Sequence, residues 1–313
     1  MMSELALELR GVSKHYGDLK AVREVDIAVP AGAIYGFLGP NGAGKTTTIR
    51  MILDIVKPTA GTISVLGAPS ALDVRERIGY LPEEKGLYKK MKASSIIAYF
   101  AGLKGIDRKT ARTRAYELLE RYGLKDFADA KIETLSKGMG QKVQVLASIA
   151  HQPEFVILDE PFSGLDPVNQ QVMEDVIKDL SKAGSTIIFS THVMSHAERI
   201  CDRILLIAKG TKIFDGTIDE AKKKIPNRVR LQADAGNDQL RALPGVLQVD
   251  AVEDDLHEDL WDLTIEEGAE AQQILQTCFA QGITLRSFDH NEPTLHDVFV
   301  ELVGEDAREA QKR

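Results

Sequence analysis

The feature that most constrains this chain is an eight-residue segment that begins at Gly39. Residues 39–46 read Gly-Pro-Asn-Gly-Ala-Gly-Lys-Thr and match the pattern G-x-x-x-x-G-K-[ST] at every fixed position. An apolar run precedes the segment, and residues 47–53 can continue it as a helix. Glycines let backbone N–H groups converge on phosphate oxygens, and the following helix adds the positive end of its dipole. The segment therefore predicts a strand–loop–helix unit that binds a phosphorylated ligand.

Two side chains of this loop carry the expected chemistry. Lys45 would reach the β- and γ-phosphates of a nucleotide, and Thr46 would coordinate Mg²⁺. The rest of the loop is expected to surround the phosphates with amide groups and small side chains: Gly39, Pro40, Asn41, Gly42, Ala43, Gly44 and Thr47.

A second motif joins an apolar strand to two carboxylates. Residues 155–158 are Phe-Val-Ile-Leu, and Asp159 and Glu160 follow them directly. Adjacent acids at a strand end are costly unless a cation or solvent compensates them. Strand ends are also where open α/β sheets bind ligands. We expect Asp159 to hold the metal and Glu160 to face an attacking water molecule.

Further motifs lie in a fixed order around these two, and together they resemble the ATP-binding cassette (ABC) family. Residues 135–142, Leu-Ser-Lys-Gly-Met-Gly-Gln-Lys, resemble its signature motif and lie about twenty residues before Asp159. The other matches are an aromatic residue ahead of the loop, a Q-loop position, a D-loop and a switch histidine: Tyr16, residues 80–83, residues 163–166 and His192.

The resemblance implies a role for each matching residue. Tyr16 would stack on adenine, and His192 would contact the γ-phosphate. Ser136 and Gly138 would contact the γ-phosphate of an ATP held by an opposite subunit, and Asp166 would connect the two sites. Because the chain has one phosphate loop and one signature, a second copy or a paralogue must supply the second cassette. The implied cofactors are ATP and Mg²⁺.

The chain departs from the family pattern at three positions. Lys137 stands where glycine is commoner, Met139 where glutamine is commoner, and Glu83 where the Q-loop glutamine is expected. Glu83 can still bind the metal weakly or accept from its water. Lys137 either places a cation near the opposite ATP or points to solvent. The departures resemble a subgroup that serves two-component export permeases.

Charge and patterning divide the chain into two domains. Residues 1–225 carry 32 basic and 28 acidic side chains, whereas residues 226–313 carry 7 and 19. The predicted organisation is an ABC ATP-binding domain over residues 1–221, with a helical subdomain at about 85–150, a linker over 222–227 and an accessory domain over 228–313. The acidic second part argues against nucleic-acid binding there.

The two parts have different predicted folds. Short apolar runs at residues 5–10, 33–38, 155–158 and 186–189 predict an α/β cassette with a mainly parallel sheet, and residues 92–122 look helical. The second part predicts strand, helix, strand, strand, helix, strand, which is a ferredoxin-like α+β order, with a final helix over 294–302. The ending at residues 292–299 resembles the accessory domain of drug- or ion-export ATPases. This domain either mediates dimerisation or regulation or is a passive extension.

These observations favour the ATPase subunit of an exporter of drugs, ions or small molecules. Its partners would be a separate integral membrane permease and a second cassette, and no nucleic acid. Two cysteines, no secretory signal and no long apolar run predict a cytoplasmic protein, peripheral on the cytoplasmic face of the cell membrane. The alternatives are a soluble ABC ATPase for assembly or repair and a non-ABC kinase or GTPase. The remaining histidines are interpreted as ordinary surface or packing residues: His15, His151, His196, His257, His290 and His296.

Overall fold

The computed structural model describes residues 5–84, 86–252, 259–266 and 268–311. The chain divides into two compact units, Met1–Ile218 and Asp219–Arg313. The domain boundaries predicted above, with a linker over 222–227, stay a prediction. His257 lies outside the described residues. No helix of the described part is long and apolar enough to cross a membrane.

The first unit contains nine strands and six helices in its described part. The strands are β1 (Leu5–Tyr16), β2 (Leu19–Pro30), β3 (Ile34–Leu38), β4 (Ala60–Val65), β5 (Ile78–Leu81), β6 (Phe155–Asp159), β7 (Thr186–Thr191), β8 (Arg203–Ala208) and β9 (Thr211–Gly216). The helices are α1 (Lys45–Ile52), α2 (Ala93–Leu103), α3 (Arg108–Arg121), α4 (Lys137–Ile149), α5 (Pro167–Lys182) and α6 (Met194–Ile200).

A six-stranded sheet forms the centre of this unit, in the order β5-β6-β7-β3-β8-β9. The five strands β5, β6, β7, β3 and β8 are parallel, and only β9 is antiparallel to its neighbour. All residues of β3, β6 and β7 are buried, as continuous apolar runs in a parallel sheet require. Leu38 pairs with Thr191, and Asp159 pairs with Ser190. The loops after these three strands therefore meet at one edge of the sheet.

A second sheet of the unit is antiparallel, in the order β2-β1-β4. The sequence predicted only residues 5–10 of it as a strand, and that prediction was too short. Strand β1 continues to Tyr16. The sequence pattern did not show this because register shifts against β2 and β4 break the simple alternation of the strand. The inner face of this antiparallel sheet packs on α1 and the central sheet. The buried residues at this contact include Leu7 and Leu9 of β1, Ile49 of α1 and Phe37 of β3.

A helical lobe is inserted between β5 and β6, where residues 85–150 were predicted to form one. It consists of α2, α3 and α4 and short 3₁₀ turns. The continuous helical stretch predicted over 92–122 is interrupted between Leu103 and Arg108. Asp107 ends the interruption, because its carboxylate accepts from the N–H groups of Lys109 and Thr110 and caps α3.

The second unit begins with most of α7 (Ile218–Lys222) and confirms the ferredoxin-like order. Its elements are β10 (Arg228–Ala233), α8 (Asn237–Arg241), β11 (Val246–Ala251), β12 (Leu260–Ile265), α9 (Ala271–Ala280), β13 (Leu285–Asn291) and α10 (Leu295–Gln311). The four strands are antiparallel in the order β11-β12-β10-β13. One face of the sheet forms an apolar core with α8 and α9 through residues such as Leu231, Leu240, Leu263 and Ile274. The final helix runs beyond the predicted residues 294–302.

His151 is a buried histidine that makes stability depend on pH. Its Nε2 lies 3.1 Å from the Ile78 carbonyl oxygen, and burial, with the nearby Lys104 ammonium, lowers its pKa to about 4. An unfolded histidine has a pKa of about 6.5, so the unfolded chain binds one more proton between these values. Stability is therefore lost as pH falls from about 6.5 to 4, by about 2 kcal/mol at pH 5 from this group.

We expect His151→Gln to remove that part of the acid sensitivity, because glutamine can donate to Ile78 and cannot be protonated. The measurement is the free energy of unfolding of both proteins at pH 7 and pH 5. An equal loss of stability in both proteins would contradict the assignment.

Candidate active site

The loop predicted to bind phosphate joins β3 to α1 at the common edge of the central sheet. Gly44 is the N-cap of α1 with φ of 107°, and Gly42 has φ of 79°. A Cβ on Gly39 would collide with the backbone carbonyl oxygen of Ile207, and one on Gly44 would lie 2.7 Å from that of Ala21. The path of the loop thus requires glycine at these positions.

Neighbouring backbone fixes this loop on both sides. The Gly39 N–H donates to the Thr191 carbonyl at 3.4 Å, which ties the loop to the end of β7. The Gly210 N–H, in the turn between β8 and β9, donates to the Ala43 carbonyl at 2.9 Å. The loop is therefore held open by the sheet edge, with its amide groups and α1 facing a cleft.

The cleft has a volume of about 660 Å³ and brings together most of the predicted binding residues. Its lining includes Tyr16, residues 41–47, Glu83 and Glu160. Tyr16 is 48% exposed, and the Lys14 ammonium lies 5.0 Å from the centre of its ring. An exposed aromatic ring and a glycine-rich loop on one cleft match the base and the phosphates of a nucleotide.

Lys45 is buried at the phosphate end of the cleft. Its ammonium donates to the carbonyl oxygens of Gly39 and Pro40 at 2.7 and 3.2 Å, and it lies 3.6 Å from a carboxylate oxygen of Glu160. These contacts satisfy a buried cation that would otherwise be costly. They also hold its charge at the mouth of the loop, where phosphate groups would enter.

Asp159 has the environment of a metal ligand. Its Oδ1 accepts from Ser190 Oγ at 2.6 Å and from Thr46 Oγ1 at 3.5 Å. Its Oδ2 is buried and has no hydrogen-bond partner among the described residues. A buried carboxylate oxygen without a donor, next to a threonine hydroxyl, fits the oxygen ligands that Mg²⁺ prefers. Thr46 and Asp159 can therefore hold the metal, and Glu83 lies on the same cleft.

Glu160 is held in an unusual backbone conformation that directs its carboxylate into the cleft. Its φ is 50°, and its N–H donates to Ser190 Oγ at 2.9 Å. Each of its carboxylate oxygens lies 3.1 Å from His192 Nδ1. Left-handed backbone at a residue other than glycine carries strain and is enriched at functional sites. Ser190, which donates to the Asp159 carboxylate and accepts from the Glu160 backbone N–H, was missed from the sequence because nothing in an apolar strand marks one serine.

The signature and D-loop residues lie outside this cleft. Ser136 is exposed and caps α4, since its Oγ accepts from the Met139 N–H at 3.2 Å. Asp166 caps α5 and accepts from both the N–H and the side-chain amide of Asn169, at 2.9 and 2.6 Å. These hydrogen bonds lower the pKa of Asp166 below its ordinary value. The predicted contacts of Ser136, Gly138 and Asp166 with a second cassette stay predictions.

Asn169 also connects these two motifs within the chain. A Cβ on Gly138 would lie 2.8 Å from the Asn169 side-chain nitrogen, so the amide packs directly against the glycine. Lys137 extends across Gly164 of the same D-loop, where a Cβ would collide with its ammonium. The sequence allowed two positions for the Lys137 cation, near the opposite ATP or in solvent. In the structure it lies over the D-loop of its own chain.

Comparison with known proteins agrees with this arrangement. A sequence model of the ABC transporter family matches residues 22–163, and one of the DrrA1-3-like ATP-binding protein C-terminal domain matches residues 216–303. An uncharacterized ABC transporter ATP-binding protein of Bacillus subtilis, YhaQ, is 39% identical over 95% of this chain and 98% of its own. Daunorubicin resistance ATP-binding protein DrrA3 of Streptomyces coeruleorubidus is 34% identical over 98% of each chain.

Two further similarities extend the comparison. Linearmycin resistance ATP-binding protein LnrL of B. subtilis is 31% identical over 97% of this chain and all of its own. A solved ATP-binding subunit of an ABC transporter superimposes with a TM-score of 0.64 at 30% identity, and covers 70% of this chain and 92% of its own.

Proposed function

This chain belongs to the ABC transporter family as an ATP-binding ATPase, and we propose that it powers a separate membrane permease that exports drugs, ions or other small molecules. The cluster of Lys45, Glu160 and His192 at the sheet edge carries the ATPase part of this proposal. The match of residues 216–303 to a DrrA-like C-terminal domain supports export. Relatives named for daunorubicin and linearmycin resistance support the same direction and cargo class.

Hydrolysis would proceed by in-line attack of water on the γ-phosphate. Lys45 and the loop amides bind the phosphates and offset the charge that develops on them. Glu160 accepts a proton from the attacking water, and His192, 3.1 Å from Glu160, orients that carboxylate and reaches the γ-phosphate. Mg²⁺, held by Thr46 and Asp159 with Glu83 nearby, would neutralise charge on the phosphate oxygens when bound.

The charged side chains of the site pair with one another. The Glu160 carboxylate lies between the Lys45 ammonium and the His192 imidazole. An entering γ-phosphate would compete with Glu160 for the Lys45 ammonium, while His192 keeps the carboxylate oriented toward the attacking water.

The proposed assembly has two cassettes and a permease. Ser136 and Gly138 at the start of α4 would bind the γ-phosphate of the opposite ATP, and Asp166 would help connect the two sites. The second cassette would be another copy or a paralogue. The complex would lie on the cytoplasmic face of the cell membrane, where ATP-driven closing and opening of the dimer is passed to the permease.

The proposal is tested by affinity capture of the tagged Glu160→Gln variant from membranes of the native host with ATP present. We expect a multi-spanning membrane protein to co-purify in near-equal amount and to be identified by mass spectrometry. The same capture without nucleotide is the control for ATP dependence. Recovery of this chain alone, or of soluble partners, would contradict the permease and favour a soluble ABC ATPase of assembly or repair.

A further inference from the structure

We propose that Lys209 is a nucleotide-binding residue whose ammonium pairs with the phosphate nearest the ribose. The residue belongs to none of the sequence motifs above. It lies in the two-residue turn between β8 and β9, and its side chain lines the same cleft as the glycine-rich loop. The inference rests on the proposed ATPase function and adds a binding group to its site.

The backbone of this turn is fixed against the cleft from two sides. The Gly210 N–H donates to the Ala43 carbonyl at 2.9 Å, and the Gly210 carbonyl accepts from the Arg23 N–H at 2.8 Å. A Cβ on Gly210 would lie 2.6 Å from the Ala21 carbonyl oxygen, so the turn approaches β2 as closely as glycine allows. Lys209 itself has φ of 50°, in the left-handed region that lysine rarely adopts. The fold therefore sets the position of the Lys209 backbone at the cleft.

The charge of Lys209 is unused within the described part of the chain. Its ammonium forms no ion pair or hydrogen bond there, and it is exposed on the cleft. The side chains of Lys20 and Arg23 line the same rim and form none there either. Unpaired cations around a cleft raise the local concentration of a polyanion and its affinity.

Lys212, on the same hairpin, shows the opposite arrangement. Its ammonium donates to the Asp26 carbonyl at 2.6 Å and lies 3.9 Å from an Asp215 carboxylate oxygen. It is not part of the cleft lining. The hairpin thus carries one lysine used for packing and one directed at the cleft.

The anchoring contacts indicate which part of a nucleotide Lys209 meets. Its turn is bonded to Ala43, next to the N-cap of α1 where phosphates bind, and also to Arg23, which lines the cleft together with Tyr16. The proposed stacking of adenine on the exposed ring of Tyr16 would place the base on that side. A cation between these ends faces the innermost phosphate, which ATP and ADP share.

The test compares nucleotide affinity in Lys209→Gln with that in the matched variant Lys212→Gln. We expect Lys209→Gln to weaken ATP and ADP by the same factor, about fivefold, as loss of one partly screened charge-assisted contact predicts. The dependence of log Kd on log salt concentration should become shallower in this variant. Lys212→Gln should bind like the parent, and Lys209→Arg should restore both affinity and salt dependence.

Parental affinity in Lys209→Gln, or an equal loss in Lys212→Gln, would overturn the inference. An unchanged salt dependence would also overturn it, since the loss would then not come from charge. If the parent chain bound neither nucleotide, the proposed function itself would fail, which is a separate and visible outcome.

Discussion

Replacing Glu160 with Gln is expected to slow ATP hydrolysis about 10²- to 10⁴-fold, the usual contribution of a general base, while ATP affinity changes little. Glutamine keeps the shape of the side chain and can still contact His192 Nδ1, but it cannot take a proton from water. The buried cation of Lys45 keeps its hydrogen bonds to the Gly39 and Pro40 carbonyls and exchanges its carboxylate neighbour at 3.6 Å for a neutral amide, so it stays in place to bind phosphate. Steady-state phosphate release and equilibrium ATP binding measure the two effects separately.

The matched control for this variant is Glu154→Gln. Glu154 lies just before β6, at the opposite end of the strand from Glu160, where it pairs with Arg77 at 2.6 Å on the surface. Glu154→Gln removes the same charge at a position outside the cleft, so its rate of ATP hydrolysis should equal that of the parent. A Glu160→Gln protein that hydrolyses ATP at the parental rate would remove Glu160 from the mechanism.

The second large effect is expected from Gly39→Ala. Its Cβ would collide with the Ile207 carbonyl oxygen and lie 3.2 Å from the Ala43 side chain, so either β8 or the loop must move. Overpacking of this kind costs about 1–3 kcal/mol, which lowers the midpoint of thermal unfolding by about 2–12 °C in a domain of this size. Because a displaced loop no longer aligns its amides, we also expect at least a tenfold loss of ATP affinity.

The control variant is Gly42→Ala, which tests whether the loop tolerates alanine where its Cβ causes no collision. Gly42 has φ of 79°, but a Cβ there meets no heavy atom within 4 Å. Its cost is the left-handed conformation alone, about 1–2 kcal/mol. The two variants are compared by calorimetry and by ATP titration. An equal loss of ATP affinity at the two positions would contradict the role assigned to the Ile207 carbonyl.

The contiguous motifs of the site were predictable because their chemistry is local. The spacing of glycine and lysine in residues 39–46 predicts the geometry of the loop. Asp159 and Glu160 follow an apolar strand that ends where ligands bind. The strand and helix order of the second unit was predictable for a similar reason, since each element there has a clear period and a turn signal.

What could not be predicted depends on contacts between distant parts of the chain. Ser190 is one polar residue in a buried strand, and only the pairing of β6 with β7 brings it to Asp159. Lys209 enters the cleft because its turn bonds to a loop more than 160 residues earlier. The antiparallel sheet was mostly missed because β1 changes register and only the second half of its partner β2 alternates regularly. Each of these follows from tertiary packing that overrides local preference.

The contact between Gly138 and Asn169 has a consequence for the history of this sequence. The amide of Asn169 fills the space that any larger residue at 138 would need, and it holds Asp166 at the same time. A substitution at either position alone therefore disturbs both motifs. Among descendants of a common ancestor, we expect these two positions to have changed together, with a smaller side chain at 169 wherever 138 has gained one.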